Sequence, residues 1–179
     1  NFTYKIVRNG TDKVLQDLES FNQDLLIVHY DCLLNESIQN TLCNIPVDFM
    51  IYDEAHTFRN MKSQRSEAIY LITNTISPKY RFALTGTPVA ERPIEVYSIL
   101  KLLKPHLLPS KTRFEDYFCT KVLLKIRMGK RIRFVNKIVG YKNLEQLKFT
   151  VDQHTYRKTH DDVEGFPPTV LSVRKFDMD

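Results

Sequence analysis

The chain has 179 residues, 42% of them hydrophobic, and 26 Lys plus Arg against 21 Asp plus Glu, a formal net charge of +5. That content supports one substantial core with an appendage rather than two full domains, and the mild positive excess admits a polyanionic partner without requiring one. No stretch approaches the roughly 18 unbroken apolar residues of a membrane span, and three cysteines without Cys-x-x-Cys spacing argue against a disulfide framework or a zinc site.

Tyr4 to Val7 is short and β-prone, Thr11 is placed to cap an amphipathic helix carrying Val14, Leu15 and Leu18 on one face, and Leu25 to His29 is an apolar run. Asp31 can cap the next helix, which bears Leu33, Leu34 and Ile38. Phe49 to Tyr52 is again apolar without alternation, as expected of a parallel strand covered on both faces. A helix from about Lys62 to Thr75 should turn Ala68, Leu71 and Ile72 inward, and Tyr80 to Leu84 reads as a strand. This β-α-β-α-β-α-β rhythm predicts an α/β fold with one parallel, doubly wound sheet. Pro93 opens another helix with Val96, Ile99, Leu100 and Leu103 on its inner face, ended by Lys104-Pro105.

The texture changes after residue 105. Ser110 can cap a short helix whose Phe114, Tyr117 and Phe118 form an aromatic stripe, better read as core packing than as a base-stacking surface. Lys121 to Val135 reads as two strands joined at Met128-Gly129, carrying Lys121, Lys125, Arg127, Lys130, Arg131 and Arg133 and no acidic residue. Those cations could neutralise nucleic-acid phosphates, or the same alternation could be one solvated face of an exposed ribbon. Asn143 and Gln146 suggest a capping box for a helix with Leu144, Leu147 and Val151; Phe166-Pro167-Pro168 then breaks the chain before a last strand, Thr169 to Arg174. The expected division is 1–105 as the main lobe, 106–160 as the appendage and 161–179 as a returning strand or linker.

Chemistry concentrates at two strand ends. Asp53 and Glu54 follow the apolar run directly, and the carboxyl end of a parallel strand is where open α/β sheets bind ligands. The first carboxylate is suited to hold Mg²⁺ on a nucleotide's phosphates, usually through water, and the second to orient an attacking water. His56 is better placed to connect the phosphate site to the following loop. By itself Asp53-Glu54-Ala55-His56 is also what a polar turn after a core strand looks like. The second end, Leu84-Thr85-Gly86-Thr87-Pro88, shifts the balance, because Gly86 is expected to allow a backbone geometry that a side chain would block and two threonine hydroxyls can donate and accept.

Asp53-Glu54-Ala55-His56 with Phe58-Arg59-Asn60, and Leu84-Thr85-Gly86-Thr87-Pro88, resemble motifs II and III of the Swi/Snf-type DNA-dependent ATPases of helicase superfamily two. The likeness continues through Arg92-Pro93-Ile94-Glu95, Leu102-Leu103-Lys104-Pro105, Tyr117-Phe118-Cys119, Asn143-Leu144-Glu145-Gln146-Leu147 and Arg157-Lys158-Thr159, leaning toward the annealing-helicase branch and its bacterial and phage relatives. The resemblance implies the carboxyl-terminal part of a first RecA-like (P-loop NTPase) lobe, with ATP and Mg²⁺ as cofactors and double-stranded DNA as partner. Asp53, Glu54 and His56 would be catalytic, with Asp53 on the metal, and Thr85, Gly86 and Thr87 would couple to ATP. DNA contacts fall on His29, Tyr30, Arg59 and Asn60 by family analogy, and on Lys125, Arg127, Lys130, Arg131 and Arg133 by charge.

Departures qualify the likeness. No Gly-x-x-x-x-Gly-Lys-Ser/Thr loop occurs, since none of Gly10, Gly86, Gly129, Gly140 and Gly165 opens that pattern, and a second lobe is missing. Ala90-Glu91 and Arg157-Lys158-Thr159-His160 also differ from the family's usual residues. The 179 residues alone are therefore expected to lack appreciable ATPase activity, being part of a translocase or remodeller that couples hydrolysis to movement on DNA. The alternative is a non-catalytic DNA-binding or interaction module derived from such a lobe. The start Asn1-Phe2-Thr3-Tyr4-Lys5 has neither Met nor a signal-peptide layout, so a piece of a longer intracellular protein is expected, nuclear in a eukaryote and cytoplasmic or nucleoid-associated in a bacterium or phage.

Overall fold

A computed structural model describes residues 1–8, 10–86, 92–129, 131–159, 162 and 164–165. The element order is β1 (Tyr4–Val7), α1 (Thr11–Glu19), β2 (Leu25–Val28), α2 (Glu36–Cys43), β3 (Phe49–Tyr52), α3 (Gln64–Ile76) and β4 (Tyr80–Ala83). Then come α4 (Val96–Leu103), α5 (Lys111–Phe118), β5 (Cys119–Met128), β6 (Arg131–Tyr141) and α6 (Leu144–Asp152), with short 3-10 turns at Tyr30–Leu34, Ala55–Phe58 and Pro93–Glu95. The chain divides into two compact units, 1–144 and 145–179.

Strand pairing is parallel where the rhythm demands it, β1 with β2 and β3 with β4. The single doubly wound sheet is not formed: the described strands make two separate two-stranded parallel sheets and one antiparallel hairpin. Among the described residues, coverage on both faces is also absent. Val7 and Tyr52 are buried, yet Phe49 and Ile51 are 60% and 58% exposed and Tyr4 and Ile6 lie open beside their own partner strand. The physical reason is that the helices of this chain supply apolar surface to one face only. Val14, Leu18, Ile38, Leu42, Ala68 and Ile72 form one cluster with Val7 and Tyr52, while Phe49, Ile51, Tyr4 and Ile6 on the other side of the four-residue ladders stay open.

Helix ends correct several details. Gly10 at φ 72° occupies the position before α1 and no side chain caps it, so Thr11 is the first helical residue rather than the cap. His29, not Asp31, caps the 3-10 turn after β2, and Asn35 then caps α2 by accepting from the amides of Ser37 and Ile38. Ser63 caps α3 by accepting from Ser66 N. Ala68 and Ile72 face inward as expected with Ile69 beside them, but Leu71 is 52% exposed. In α4, Val96, Ile99 and Leu100 are buried as expected and Leu103 packs half-buried against the core, with Leu102 buried beside them. Phe114 is fully buried and packs on Tyr97 at 4.8 Å between ring centroids, whereas Tyr117 is 51% exposed, so the aromatic stripe is only partly core.

The hairpin β5–β6 is longer than the sequence suggested and has an irregularity in its register between Thr120 and Lys121. Asn143 adopts φ 54°, not the extended backbone of a capping box, and its amide donates to Tyr117 O at 2.8 Å. In the second unit, Thr159 donates through both N and Oγ1 to Asp162 Oδ2 at 2.7 Å. Those bonds, the hydroxyl's first, hold the Asp162 carboxyl below its usual range. The strand expected at Thr169 to Arg174 lies outside the described residues, as does the Phe166-Pro167-Pro168 break.

Candidate functional site

β3 and β4 end side by side. Leu84 N donates to Tyr52 O at 2.8 Å and Ala55 N donates to Leu84 O at 2.9 Å, so the Asp53-Glu54 turn lies alongside Leu84-Thr85-Gly86. The two strand ends singled out in the sequence are thus neighbours, with Thr87 outside the described residues. Tyr52 anchors the arrangement from below: its ring is buried and its hydroxyl shares a hydrogen bond with Thr73 Oγ1 at 2.8 Å. The next residue, Asp53, is the first to leave the ladder and is exposed, as is Glu54.

The turn itself is conformationally strained and clamped. Glu54 sits in the left-handed region at φ 47° and ψ 46°, a placement that costs a residue with a side chain about 1–2 kcal/mol. Such outliers persist only where neighbours over-determine them, and they cluster at functional sites. Three neighbours do so here. Asp53 Oδ1 accepts from Glu54 N at 3.0 Å, Thr57 N donates to Glu54 O at 3.0 Å, and Tyr30 OH reaches across from the end of β2 to donate to Asp53 O at 2.6 Å. Burial first, then the nearby charge of Asp53, pushes the Tyr30 phenol well above its ordinary range, so it stays a donor at neutral pH. Its ring stands edge-on to Phe58 at 4.9 Å.

His56 turns back on the site rather than outward. Its Nδ1 lies 2.9 Å from Glu54 Oε2, close enough for an ion pair when the imidazole is protonated but off the line of a hydrogen bond. Arg59 faces α4, with Nε 3.6 Å from Glu95 Oε2, while its carbonyl accepts from Ser98 Oγ at 3.1 Å. Asn60 is exposed and its side-chain oxygen accepts from Lys62 N. His29 is exposed too, its Nδ1 accepting from Asp31 N, and Asp31 in turn pairs with Arg65. Of the four loop residues proposed for DNA contact, His29 and Asn60 are therefore open to solvent, and Tyr30 and Arg59 are half-buried and engaged within the chain. Sequence reading missed Tyr30 as a clamp, Ser98 and Glu95 as partners of the Arg59 turn, and the left-handed Glu54. The signal available for Tyr30 was its place just past a parallel strand, like Asp53.

Two exposed carboxylates at a strand end are hard oxygen donors of the kind Mg²⁺ takes together with phosphate oxygens. Among the described residues no group of three or more His, Cys, Asp or Glu gathers. Gly86 differs from expectation. Its φ is not positive and a Cβ added there meets nothing within 4 Å, so the protein's own backbone does not require glycine.

On the hairpin, Lys121 is neutralised internally by Glu115 at 3.0 Å and Asp116 at 2.9 Å. Partial burial pulls its pKa down, but hydrogen bonds to Asp116 and Glu115 outweigh that and the net direction is up. Lys125, Arg127, Arg131 and Arg133 are exposed and have no ion pair among the described residues, and Lys130 lies outside them. The cations do not share one face. Lys125 and Arg127 lie on one side of the ribbon and Arg131 and Arg133 on the other, because the cross-strand register pairs Lys125 with Phe134 and Ile126 with Arg133.

The model of the SNF2-related domain matches residues 2–179. Similar curated proteins include Protein CHROMATIN REMODELING 4 of Arabidopsis thaliana, 27% identical over 150 residues, which are 83% of this chain and 6% of that protein. The Bacillus subtilis protein named Uncharacterized ATP-dependent helicase YqhH is 31% identical over 98 residues, 55% of this chain and 17% of its own length. The human SWI/SNF-related matrix-associated actin-dependent regulator of chromatin subfamily A containing DEAD/H box 1 is 32% identical over 95 residues, 52% of this chain and 9% of its own. The chain thus spans under a fifth of each of these relatives. Among solved structures, the Sulfolobus solfataricus SWI2/SNF2 ATPase core in complex with dsDNA has a TM-score of 0.52 and 24% identity, covering 66% of this chain and 23% of that one. That likeness supports an α/β fold of the ATPase-core type. The match over 2–179 establishes the family: the chain belongs to the SNF2-related domain family.

Proposed function

We propose that this chain is the motif II and III portion of an ATP-dependent DNA translocase or remodeller, and that hydrolysis in the complete polypeptide uses Asp53 and Glu54. The reading is carried by one observation, the backbone bridge from Tyr52 and Ala55 to Leu84 that brings the acidic turn beside Thr85-Gly86. Asp53 would hold Mg²⁺, directly or through water, and the ion would supply charge neutralisation at the nucleotide's phosphates. Glu54 lies one residue on with its backbone turned left-handed, which sends its carboxylate in a different direction from Asp53 and suits it to orient an attacking water. His56 beside it would hold that carboxylate in place until substrate arrives. The space beside Gly86 is room a phosphate or the mobile part of a substrate can use, a reason for glycine that the chain's own packing does not provide.

Phosphate-cradling groups of the Gly-x-x-x-x-Gly-Lys-Ser/Thr kind are not among these residues, so the complete site needs groups from outside them. DNA would meet His29 and Asn60 on the loops and the cations of the hairpin, a reading supported by the likeness to a SWI2/SNF2 ATPase core in complex with dsDNA. The test is E54Q in the complete polypeptide. Hydrolysis should fall by at least ~10²-fold while ATP binding is spared, the magnitude common for removing a group that acts in the transition state. Unchanged turnover would remove Glu54 from the mechanism, and a complete polypeptide with no hydrolysis would favour the non-catalytic module.

A further inference from the structure

The hairpin β5–β6 has an unusual division of charge. Residues paired across an antiparallel ribbon share a face, and here most cations stand opposite an apolar residue: Lys125 opposite Phe134, Arg127 opposite Ile132, Arg133 opposite Ile126 and Lys137 opposite Val122. One face therefore carries a basic row along β5 with an apolar row along β6, and the other face carries the reverse. The apolar members stand open to solvent, Phe134 at 60% and Ile132 at 54% on one face, Val122 at 45% and Ile126 at 42% on the other. Within the hairpin no acidic residue offsets the cations, and Lys121, at the base, is the one whose charge is spent on Glu115 and Asp116.

This distribution discriminates between partners. A ribbon lying on a membrane surface needs one apolar face and one charged face, and neither face here is uniformly apolar. A solvated ribbon has no physical use for Phe134, Ile132 and Ile126 in the open. A single flat polyanion would satisfy one basic row and leave the other idle. Two rows of phosphate, one on each side, satisfy both. The major groove of duplex DNA, about 12 Å wide, admits a two-stranded β-ribbon and is walled on each side by a phosphate backbone.

We propose that the distal half of the hairpin enters a groove of duplex DNA and contacts both backbones at once, with Lys125 and Arg127 on one strand and Arg131 and Arg133 on the other. The inference rests on the DNA-binding reading above and adds to it a two-sided mode of contact. The apolar rows, each next to a cation row, meet sugar edges and thymine methyl groups. Same-side cations two residues apart on a strand are about 6.7 Å apart, so each row follows a backbone instead of converging on one phosphate.

The experiment measures the salt dependence of duplex binding by the complete polypeptide and by three variants, K125Q/R127Q, R131Q/R133Q and the quadruple combination. Each neutralised contact should lower the slope of log affinity against log salt by about 0.9, so each double variant loses about 1.8 and the quadruple about 3.6. R131K/R133K should restore the second face's share, which separates charge from any effect on folding. A photo-crosslinker at position 125 and another at 133 should label opposite strands of a defined duplex. A loss of slope confined to one face, no loss on either, or both crosslinkers on the same strand would each overturn the two-sided mode. A wild-type polypeptide that does not bind duplex DNA at all fails the broader reading instead.

Discussion

Tyr30 is the side chain on which the acidic turn most depends from a distance. Its hydroxyl is a long-range side-chain donor to Asp53 O, beside the backbone bond from Ala55 N to Leu84 O, while Asp53 Oδ1 and Glu54 O take amides from within the turn. Replacing it with Phe keeps the ring against Phe58 and removes only that bond, so Y30F should cost about 1 kcal/mol in unfolding free energy. In the complete polypeptide it should also lower kcat more than it raises KM for ATP, because the groups displaced are those proposed to orient water and hold metal rather than to bind nucleotide. Steady-state kinetics over an Mg²⁺ series checks this, and an unchanged kcat together with a normal Mg²⁺ requirement would make Tyr30 merely structural. Glu54 would have been invisible as a strained residue in the sequence, since its left-handed backbone arises from tertiary clamps and not from a turn-forming residue type.

At the scale of elements, caps were legible only when the competing side chain was considered. Asp31 and Thr11 have good capping chemistry, yet His29 and Asn35, both with extended backbone, and Gly10, at φ 72° with no side-chain cap bond, take the positions. Ser63 is the cap with the longest helix behind it. Its hydroxyl oxygen accepts from Ser66 N and also shares a bond with Ser66 Oγ, which is itself buried. S63A should therefore lower stability by about 1 kcal/mol, seen as a lower urea midpoint with an unchanged m-value. A midpoint within error of wild type would mean that α3 is held by Ile69, Ile72 and Thr73 alone. The 3.6-residue period named the inner face of α3 well except at Leu71, which lies on the edge of the stripe, where periodicity cannot separate half-buried from buried.

For the molecule as a whole, the open sheet faces and the tyrosines set the large-scale behaviour. Phe49 stacks on Tyr80 and Phe82 in an aromatic patch that is open among the described residues. Burial also raises the phenols of Tyr30, Tyr52, Tyr70, Tyr97 and Tyr141 above their ordinary value of 10.0. The sign follows from linkage. Above pH 10 the unfolded chain has released phenol protons that the folded chain still holds, so the unfolded state binds fewer protons and stability falls as pH rises. Denaturant melts between pH 8 and pH 11 should show a flat region and then a steep loss beginning near pH 10, and Y30F should make that loss shallower. A melt as stable at pH 11 as at pH 8 would contradict these shifts.

The chain's residues alone were enough to mark the parallel strands, the helices between them, the family and the two strand ends that lie side by side. Apolar runs, turn residues and an adjacent carboxylate pair are local features, written in consecutive positions. Tertiary structure decided everything that depends on distant partners: that the sheet is split and open on one face, that Tyr30 holds Asp53, that Arg59 faces Glu95, and that the hairpin's cations divide between two sides. The last is the plainest case. Alternation along one strand places a side chain up or down, but which cations share a face depends on the register between two strands, and no single stretch of sequence contains it.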